Sequence, residues 1–248
     1  MGIFRKCAWA TVLLAVCLVL LTSSSIYANK NFEKRKRSQP VPPLSRSELK
    51  EAQQRLSEMG YGAGGGAVIL FQKWEGRKLT GRLNRAEYEA IIAAEAPRAK
   101  DTGYKHVEVD VDRQVLLLTD DEGAIKRILP VSTGSNKRYN EKGVRGLAYT
   151  PRGRFRIYSK ISGWRKSPLG LLYYPSYFSD GLAIHGNPEV PHSPQSHGCI
   201  RIPMSAAVAM FKHLRVGTIV LIYDSAGFVS AQDWAEADRQ KQAVSLQK

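Results

Sequence analysis

The sequence predicts a mainly β domain with one short helix, preceded by a small all-α domain. From residue 104 onward, apolar and polar residues alternate and short apolar runs end in turn residues, a pattern typical of strands. Before that point, residues 45–95 place apolar side chains at helical spacing between glycine-rich turns. A chain of 248 residues has room for one ordinary domain and one small one.

The N-terminal residues predict an exported protein. Residues 1–28 combine a basic start, an uncharged apolar run at residues 8–21 and small residues before Ala28, which is the layout of a cleaved signal peptide. The run is short for a membrane span of roughly 20 apolar residues, so an uncleaved anchor is the less favoured alternative. We therefore expect the mature chain in the periplasm or cell wall.

The charge of the chain favours an anionic partner. Its 37 Lys and Arg against 22 Asp and Glu give a formal charge of +15. No helix-turn-helix, zinc-finger or RNA-binding pattern accompanies this charge, so we expect no nucleic acid partner. Residues 29–44 are basic and then proline-rich, which predicts an extended tether that could rest on anionic wall polymer or membrane lipid.

Residues 45–95 predict three helices. Their expected limits are a first helix capped by Ser45 or Ser47 and ended at Gly60–Gly62, a second starting at Ala67 and broken at Gly76, and a third from Asn84 to Ala94. Residues 97–103 read as a short linker to the β-rich region.

The β-rich region is expected to span residues 104–223. Val115–Leu118 and Ile125–Val131 are apolar runs that predict buried strands, and Thr218–Tyr223 predicts a closing strand. A short helix is expected after Pro203, which suits a first helical turn. Its expected apolar face consists of Met204, Ala207, Val208, Phe211 and Leu214. We assign no function to the tail at residues 224–248.

The residues with reactive side chains concentrate in one stretch, residues 182–203. It holds three of the five histidines, namely His185, His192 and His197, and the only cysteine outside residues 1–28, Cys199. Loss of the signal peptide would leave Cys199 as an odd thiol, which in an oxidising compartment is an intermolecular link or a reactive group. A buried strand end followed by a rigid loop that returns a Cys to a His can build a nucleophile and its base.

The motifs of this stretch resemble a known family. His185–Gly186, the block Ser196-His197-Gly198-Cys199 and Arg201 two positions later resemble the signature of the L,D-transpeptidases, whose YkuD-type catalytic domain remodels bacterial peptidoglycan. The runs QVLLL, PVSTGS and TPRGRF resemble the same family in the same order, so the resemblance covers about residues 105–223. It implies that the mainly β domain is an L,D-transpeptidase-like β-sandwich.

The helical residues resemble a second family. RLSEMGY, AVILFQKWEG and LTGRL are similar, in order, to the three-helix peptidoglycan-binding domain. Members of that family carry a longer loop between the first two helices, where this chain has only Gly62–Gly66. The alternative is therefore a small helical spacer that does not bind the wall.

The first resemblance implies roles for the nucleophile and its base. Cys199 would be the nucleophile and His185, 14 residues earlier, the base. His197 lies two positions from Cys199, and local geometry alone leaves it open as the base, but the family pattern implies that it shapes the pocket. The carbonyl of Gly186 would orient the imidazole of His185.

The residue types around Cys199 suggest how substrate is held. Backbone N–H groups of Gly198 and Cys199 would bind the oxyanion, with Ser196 in the same orienting block. Arg201 would bind a substrate carboxylate, with a structural pairing to an acidic neighbour as the alternative. The Tyr173–Tyr174 pair would add to the substrate site. No cofactor and no metal are expected.

The implied reaction is acyl transfer between peptidoglycan stem peptides. Cys199 attacks the third residue of a donor tetrapeptide, D-Ala leaves, and a side-chain amine resolves the thioester into a 3→3 cross-link. Water as acceptor would give an L,D-carboxypeptidase, and a protein amine would give an attached wall protein. Residues 136–145 and 162–172 are expected to be the loops that choose among acceptors.

Two alternatives come from other classes of protein. The first is a zinc site, whose ligands would come from His185, His192, His197 and Cys199. The second is a non-catalytic wall-binding protein, in which the basic tether and the helical residues carry the function.

Overall fold

The computed structural model describes residues 42–225 and residue 227. The expected signal peptide, nearly all of the tether and most of the tail at residues 224–248 lie outside the described residues. None of the helices in the described part of the chain has the length and hydropathy of a membrane span.

Three helices open the described chain, in the order α1 (Arg46–Glu58), α2 (Gly65–Trp74) and α3 (Arg85–Ala93). Of the two predicted caps, Ser45 is the one used. Its hydroxyl accepts from the N–H of Glu48 at 3.2 Å, and the Glu48 carboxylate accepts from the N–H of Ser45 at 2.7 Å. Such a capping box satisfies two otherwise orphaned donors and is typically worth about 1 kcal/mol.

The strands follow in chain order, with one helix near the end. They are β1 (His106–Asp110), β2 (Val115–Thr119), β3 (Ile125–Pro130), β4 (Arg138–Glu141), β5 (Val144–Leu147), β6 (Gly153–Arg156), β7 (Ser159–Lys160), β8 (Trp164–Ser167), β9 (Gly170–Ser179), β10 (Leu182–Asn187), β11 (Ile200–Pro203), helix α4 (Met204–His213) and β12 (Ile219–Tyr223).

The strands form a β-sandwich, as predicted. One sheet has the order β3-β2-β1-β12-β6, and the other has β11-β10-β9-β7 with β8 paired to β9. Within these sheets β1 pairs with β12 and β10 with β11 in parallel, while the other pairings are antiparallel. The apolar core between the sheets includes side chains of α4.

Strand β2 is buried on both faces, which explains its continuous apolar run. Leu116 and Leu118 point into the core between the two sheets. Val115 and Leu117 point the other way and pack in a second core with side chains of the three N-terminal helices. The helical residues and the first sheet therefore share one core.

The polar positions of β1 are buried as well. Alternation of this kind usually marks a strand with one solvated face, but Glu108 is 0% exposed. Its carboxylate accepts from the N–H groups of Lys100 and Asp101 and from the hydroxyl of Tyr223. The predicted linker at residues 97–103 thus covers the polar face and satisfies its carboxylate.

Helix α4 is placed as predicted, but its buried face is rotated. The buried residues of the helix are Ala206, Ala207 and Met210, whereas Val208, expected inside, is 37% exposed. Small alanines allow the helix to approach the sheet closely: a Cβ added at Gly186 on β10 would lie 2.7 Å from the Cβ of Ala207. The face that helix α4 buries is therefore the one whose small side chains let its backbone come close to the sheet, not the one with the largest apolar side chains.

Two segments expected to be loops are hairpins. Residues 136–145 contain most of the β4–β5 hairpin, and residues 162–172 contain β8 and the start of β9. The turn between β4 and β5 has Lys142 at φ 51° and Gly143 at φ 79°, the paired positive angles of a type I′ turn.

Candidate active site

Two parallel strands bring three of the predicted site residues together. In the register of β10 and β11, His185 lies opposite Arg201. Paired residues point to the same face, and Cys199, two positions before Arg201, shares that face. All three side chains line one cavity of about 320 Å³, while Ile184 and Ile200 point into the core behind it.

The imidazole of His185 is buried and tethered to the main chain. Its Nδ1 lies 2.9 Å from the Gly186 carbonyl oxygen, and because a carbonyl can only accept, Nδ1 carries the proton. Burial, against the opposing bond to Gly186 and with a smaller contribution from the charge of Arg201, lowers the pKa of His185 to about 4. At neutral pH the ring is therefore neutral with Nε2 unprotonated, which is the form that a base requires.

The sulfur of Cys199 lies beside the same strand. Its Sγ accepts a hydrogen bond from the Ala183 N–H at 3.4 Å. Burial raises the pKa of the Cys199 thiol, while the Ala183 N–H and the charge of Arg201 lower it less strongly. A thiol beside a neutral imidazole can react only if the proton moves as the sulfur attacks, which is general-base catalysis rather than a preformed ion pair.

The turn before Cys199 is held by its own serine. The Ser196 hydroxyl accepts from the Gly198 N–H at 3.0 Å and donates to the Cys199 carbonyl at 2.5 Å. The Gly198 N–H, one of the two expected oxyanion donors, is thus engaged inside the turn. No described residue accepts a hydrogen bond from the Cys199 N–H, so this second expected donor is free.

Arg201 has the properties of a binding group. Its side chain lines the cavity, and within the described residues no acceptor takes a hydrogen bond from its guanidinium. Its charge acts on both His185 and Cys199. A free, planar cation at this position fits a carboxylate.

The other histidine of the motif has a different environment. The Nε2 of His197 lies 3.2 Å from the Glu141 carboxylate on β4. The Tyr139 ring packs edge-on against it with centroids 4.7 Å apart. Because Nε2 of His197 faces a carboxylate and that of His185 is unprotonated beside the cavity, the geometry favours His185 over His197 as the base.

The predicted tyrosine pair does not reach the cavity lining. Tyr173 packs against Trp164 with ring centroids 4.8 Å apart, and Tyr174 packs on Phe211 of α4 at 5.1 Å. The Tyr173 ring thus packs on β8, and the Tyr174 ring packs on the C-terminal part of α4. The substrate contact assigned to Tyr173 and Tyr174 stays a prediction.

The zinc alternative lacks its ligand set. His192 lines a separate groove beside Lys73 on α2, away from the cavity that contains Cys199. Among the described residues no group of three or more His, Cys, Asp or Glu side chains could hold a metal ion.

Most other neighbours of the cavity come from the two segments expected to choose among acceptors, residues 136–145 and 162–172. Tyr139 and Val144 line it from the β4–β5 hairpin, and Ser167 to Leu172 line it from the β8–β9 hairpin. Sequence reasoning missed Tyr177 on β9, which lies opposite Ala183; burial raises the pKa of its hydroxyl, and a thiolate at Cys199 would raise it further. The aromatic residues around Pro175 could have predicted strand β9 and so placed Tyr177, but a proline inside such a run argues against a strand.

Comparisons with known proteins agree with this geometry. The model of the L,D-transpeptidase (YkuD) catalytic domain matches residues 104–222. An L,D-transpeptidase structure from Xylanimonas cellulosilytica (residues 123–326) is 33% identical with a TM-score of 0.66, covering 75% of this chain and 100% of that chain.

Two further solved structures are similar at lower identity. An L,D-transpeptidase (Yku) from Stackebrandtia nassauensis is 20% identical with a TM-score of 0.46, covering 75% of this chain and 95% of that one. An L,D-transpeptidase from Mycobacterium smegmatis is 20% identical with a TM-score of 0.40, covering 48% and 58%. No curated protein sequence matches the chain significantly. With a relative 33% identical over its whole length and a YkuD domain at residues 104–222, the chain belongs to the L,D-transpeptidase family and is a transpeptidase of the peptidoglycan cross-linking class.

Proposed function

We propose that Cys199 is the nucleophile of this transpeptidase and that a donor stem tetrapeptide of peptidoglycan acylates it. One observation carries the proposal: the Cys199 thiol and the neutral, main-chain-tethered ring of His185 line a single cavity. Arg201 in the same cavity supplies an unpaired cation for a substrate carboxylate.

In the acylation step, Sγ of Cys199 attacks the carbonyl carbon of the third stem residue. The thiol proton passes to Nε2 of His185, and the Nδ1–H bond to Gly186 stabilises the resulting imidazolium. The oxyanion accepts a hydrogen bond from the Cys199 N–H. When the tetrahedral intermediate collapses, the bond to D-Ala breaks, the D-Ala amine takes the proton from His185, and a thioester remains.

In the second step, an acceptor amine attacks the thioester carbon. His185, neutral again, takes the amine proton and returns it to the departing sulfur. A side-chain amine of another stem gives a 3→3 cross-link. Water would give a carboxypeptidase, and a protein amine would give a wall-attached protein. The three outcomes share the same acyl-enzyme.

The test is intact-mass analysis of the protein after incubation with a stem tetrapeptide or a carbapenem. We expect one covalent adduct on the wild-type chain, mapped to Cys199 by peptide digestion, and none on Cys199→Ala. Product analysis with an added acceptor stem then distinguishes cross-link from hydrolysis. An adduct on another residue, or an active Cys199→Ala variant, would contradict the proposal.

We also propose that the mature protein is exported, through cleavage after Ala28. The basic start and the apolar run at residues 8–21 support this, and the basic tether at residues 29–44 then offers cationic side chains to anionic wall polymer or lipid. Determination of the mature N-terminus from fractionated cells tests it. A chain that still begins at Met1 in the membrane fraction would favour the uncleaved anchor instead.

For the helical residues we propose wall binding, with the spacer role as the second candidate. The resemblance to the three-helix peptidoglycan-binding domain supports the first. The second is favoured by the shared core, in which Leu56 and Phe71 pack with Val115 and Leu117 of β2. Sedimentation of Cys199→Ala with sacculi stripped of stem peptides tests the choice, since the catalytic cavity then has no peptide to hold. If none of the protein sediments with these sacculi, the helical residues are a spacer and not a wall-binding domain.

A further inference from the structure

One buried threonine forms a hydrogen bond with the peptide group between Gly198 and Cys199. The hydroxyl of Thr150 donates to the Gly198 carbonyl oxygen at 2.8 Å and accepts from the Gly134 N–H at 2.8 Å. Thr150 is 1% exposed, so water does not compete for these bonds. Its hydroxyl thus joins the segment after β3 to the nucleophile turn.

Holding this carbonyl also fixes the direction of an N–H group. The Gly198 carbonyl and the Cys199 N–H belong to one planar peptide group and point in opposite directions. Thr150 holds the carbonyl end, and the Cys199 N–H has no acceptor among the described residues. The hydroxyl of Ser196 fixes the peptide groups on either side through the Gly198 N–H and the Cys199 carbonyl. The Cys199 N–H is therefore a preorganised, unused donor.

The main chain around Thr150 has little room to move. A Cβ added at Gly134 would overlap the Ala148 carbonyl, and one added at Gly198 would lie 2.7 Å from the Tyr149 carbonyl oxygen. Thr133 accepts from the Ser196 N–H at 2.9 Å through its own carbonyl. Three neighbouring stretches of backbone thus close around the one hydroxyl.

We propose that Thr150 is a positioning residue for acyl transfer: through the Gly198 carbonyl, its hydroxyl aims the Cys199 N–H at the oxyanion. The proposal rests on the role proposed above for Cys199 as nucleophile. Valine at position 150 keeps the shape of threonine but removes the hydroxyl, so the Gly198 carbonyl loses its donor and the peptide group becomes free to rotate.

Two reactions of the same sulfur test this role. Acylation by a carbapenem or a stem tetrapeptide passes through an oxyanion, whereas alkylation by iodoacetamide displaces iodide at a saturated carbon and forms none. Removal of an oxyanion donor costs about 10² to 10³-fold in kcat, and a donor that is misaimed should cost less. For Thr150→Val we expect kcat for acylation to fall roughly 10- to 100-fold with KM little changed.

The alkylation rate of Thr150→Val should stay within about twofold of wild type, and Thr150→Ser, which keeps the hydroxyl, should recover most of the acylation rate. Equal slowing of both reactions would overturn the proposal, because it would mean a displaced sulfur. Unchanged acylation would overturn it as well. If Thr150→Val does not fold by circular dichroism, Thr150→Ala is measured in the same two assays with the same criteria. If the wild-type chain is alkylated but never acylated at Cys199, the proposed nucleophile fails and not Thr150 alone.

Discussion

The floor and the walls of the catalytic cavity are built differently. The floor consists of β10, β11 and the turn at residues 196–199, and its side chains are bonded to buried main-chain groups. The walls are the β4–β5 and β8–β9 hairpins. They carry exposed apolar side chains: Leu147 is 54% exposed, Trp164 is 52% and Leu171 is 57%.

This difference suggests that the floor carries out the reaction and that the walls select the peptide substrate. The residues proposed to move protons and charge take their geometry from a sheet with a packed core behind it, so small changes there should cost much activity. The hairpins lie outside that core, with their apolar side chains free for a ligand, so changes there should alter which peptide is accepted. The four predictions below test this contrast, from the largest expected effect to the smallest.

Replacing the base on the floor should have the largest effect. His185→Gln preserves much of the volume of the ring but cannot take the Cys199 proton at Nε2. We expect acylation to slow by roughly 10² to 10⁴-fold, the usual contribution of a general base. Stopped-flow acylation by a carbapenem measures it. The matched control is His197→Gln, in the same turn as Cys199, for which less than tenfold is expected; the reverse order would make His197 the base.

A single methyl group should distinguish floor from wall. Gly198 lies at φ +132° with the Tyr149 carbonyl oxygen 2.7 Å from where a Cβ would be, whereas Gly143 lies at φ +79° with open space around it. Gly198→Ala should reduce acylation by about 10- to 100-fold, because the turn must shift and misplaces the oxyanion donor. Gly143→Ala should cost only about 1 kcal/mol of backbone strain. Acylation rates and thermal unfolding of both variants check the contrast; equal activities would contradict it.

The pH dependence should show the buried state of His185. Its folded pKa of about 4 lies below the ordinary 6.5, so the ring stays neutral above pH 5 and the acylation rate should show no inflection near 6.5. The rate should fall about tenfold per pH unit below 4. The same shift makes the fold progressively less stable as pH falls from 6.5 to 4, because over that range the unfolded chain binds a proton at this ring that the folded chain does not bind. A pH–rate profile checks this; an inflection near 6.5 that His197→Gln does not remove would indicate a titrating His185.

The smallest effect should come from the wall contact to His197. Glu141 is 55% exposed in its side chain, and exposed ion pairs contribute about 0 to 1 kcal/mol. Glu141→Gln should therefore change the free energy of unfolding by less than about 0.5 kcal/mol. We expect kcat/KM to change about two- to fivefold, less so at high salt. A change above 100-fold would place Glu141 in the chemistry.

The sequence identified five residues that the structure places around one cavity, namely His185, Ser196, His197, Cys199 and Arg201. This was possible because the motif residues are close together in the sequence at a strand end, so their spacing in the chain largely fixes their spacing in the fold. It also predicted β2, since a strand buried on both faces is apolar throughout. Helix α4 was placed correctly for a different reason: Pro203 marks its start and Gly217 follows its end.

What the sequence could not show depends on contacts between distant residues. The β4–β5 hairpin pairs only with itself and is half exposed, so no alternation marks it. Adjacent residues of a regular strand face opposite sides of the sheet. Tyr174 has a φ of 49°, outside the range of a regular strand, so the side of the sheet on which its ring lies could not be predicted from its place in the sequence. The hydroxyl bonds of Thr150 join two separate loops, and those of Ser196 close its own turn; neither set of bonds has a sequence period.

The two-sided burial of β2 has a consequence for how the protein denatures. Neither the helical residues nor the sheet can lose their packing without exposing Val115 and Leu117, which contact both. The two parts should melt together, as a single cooperative transition in calorimetry with equal van't Hoff and calorimetric enthalpies. An enzyme joined in this way cannot shed its N-terminal helices by proteolysis and stay folded.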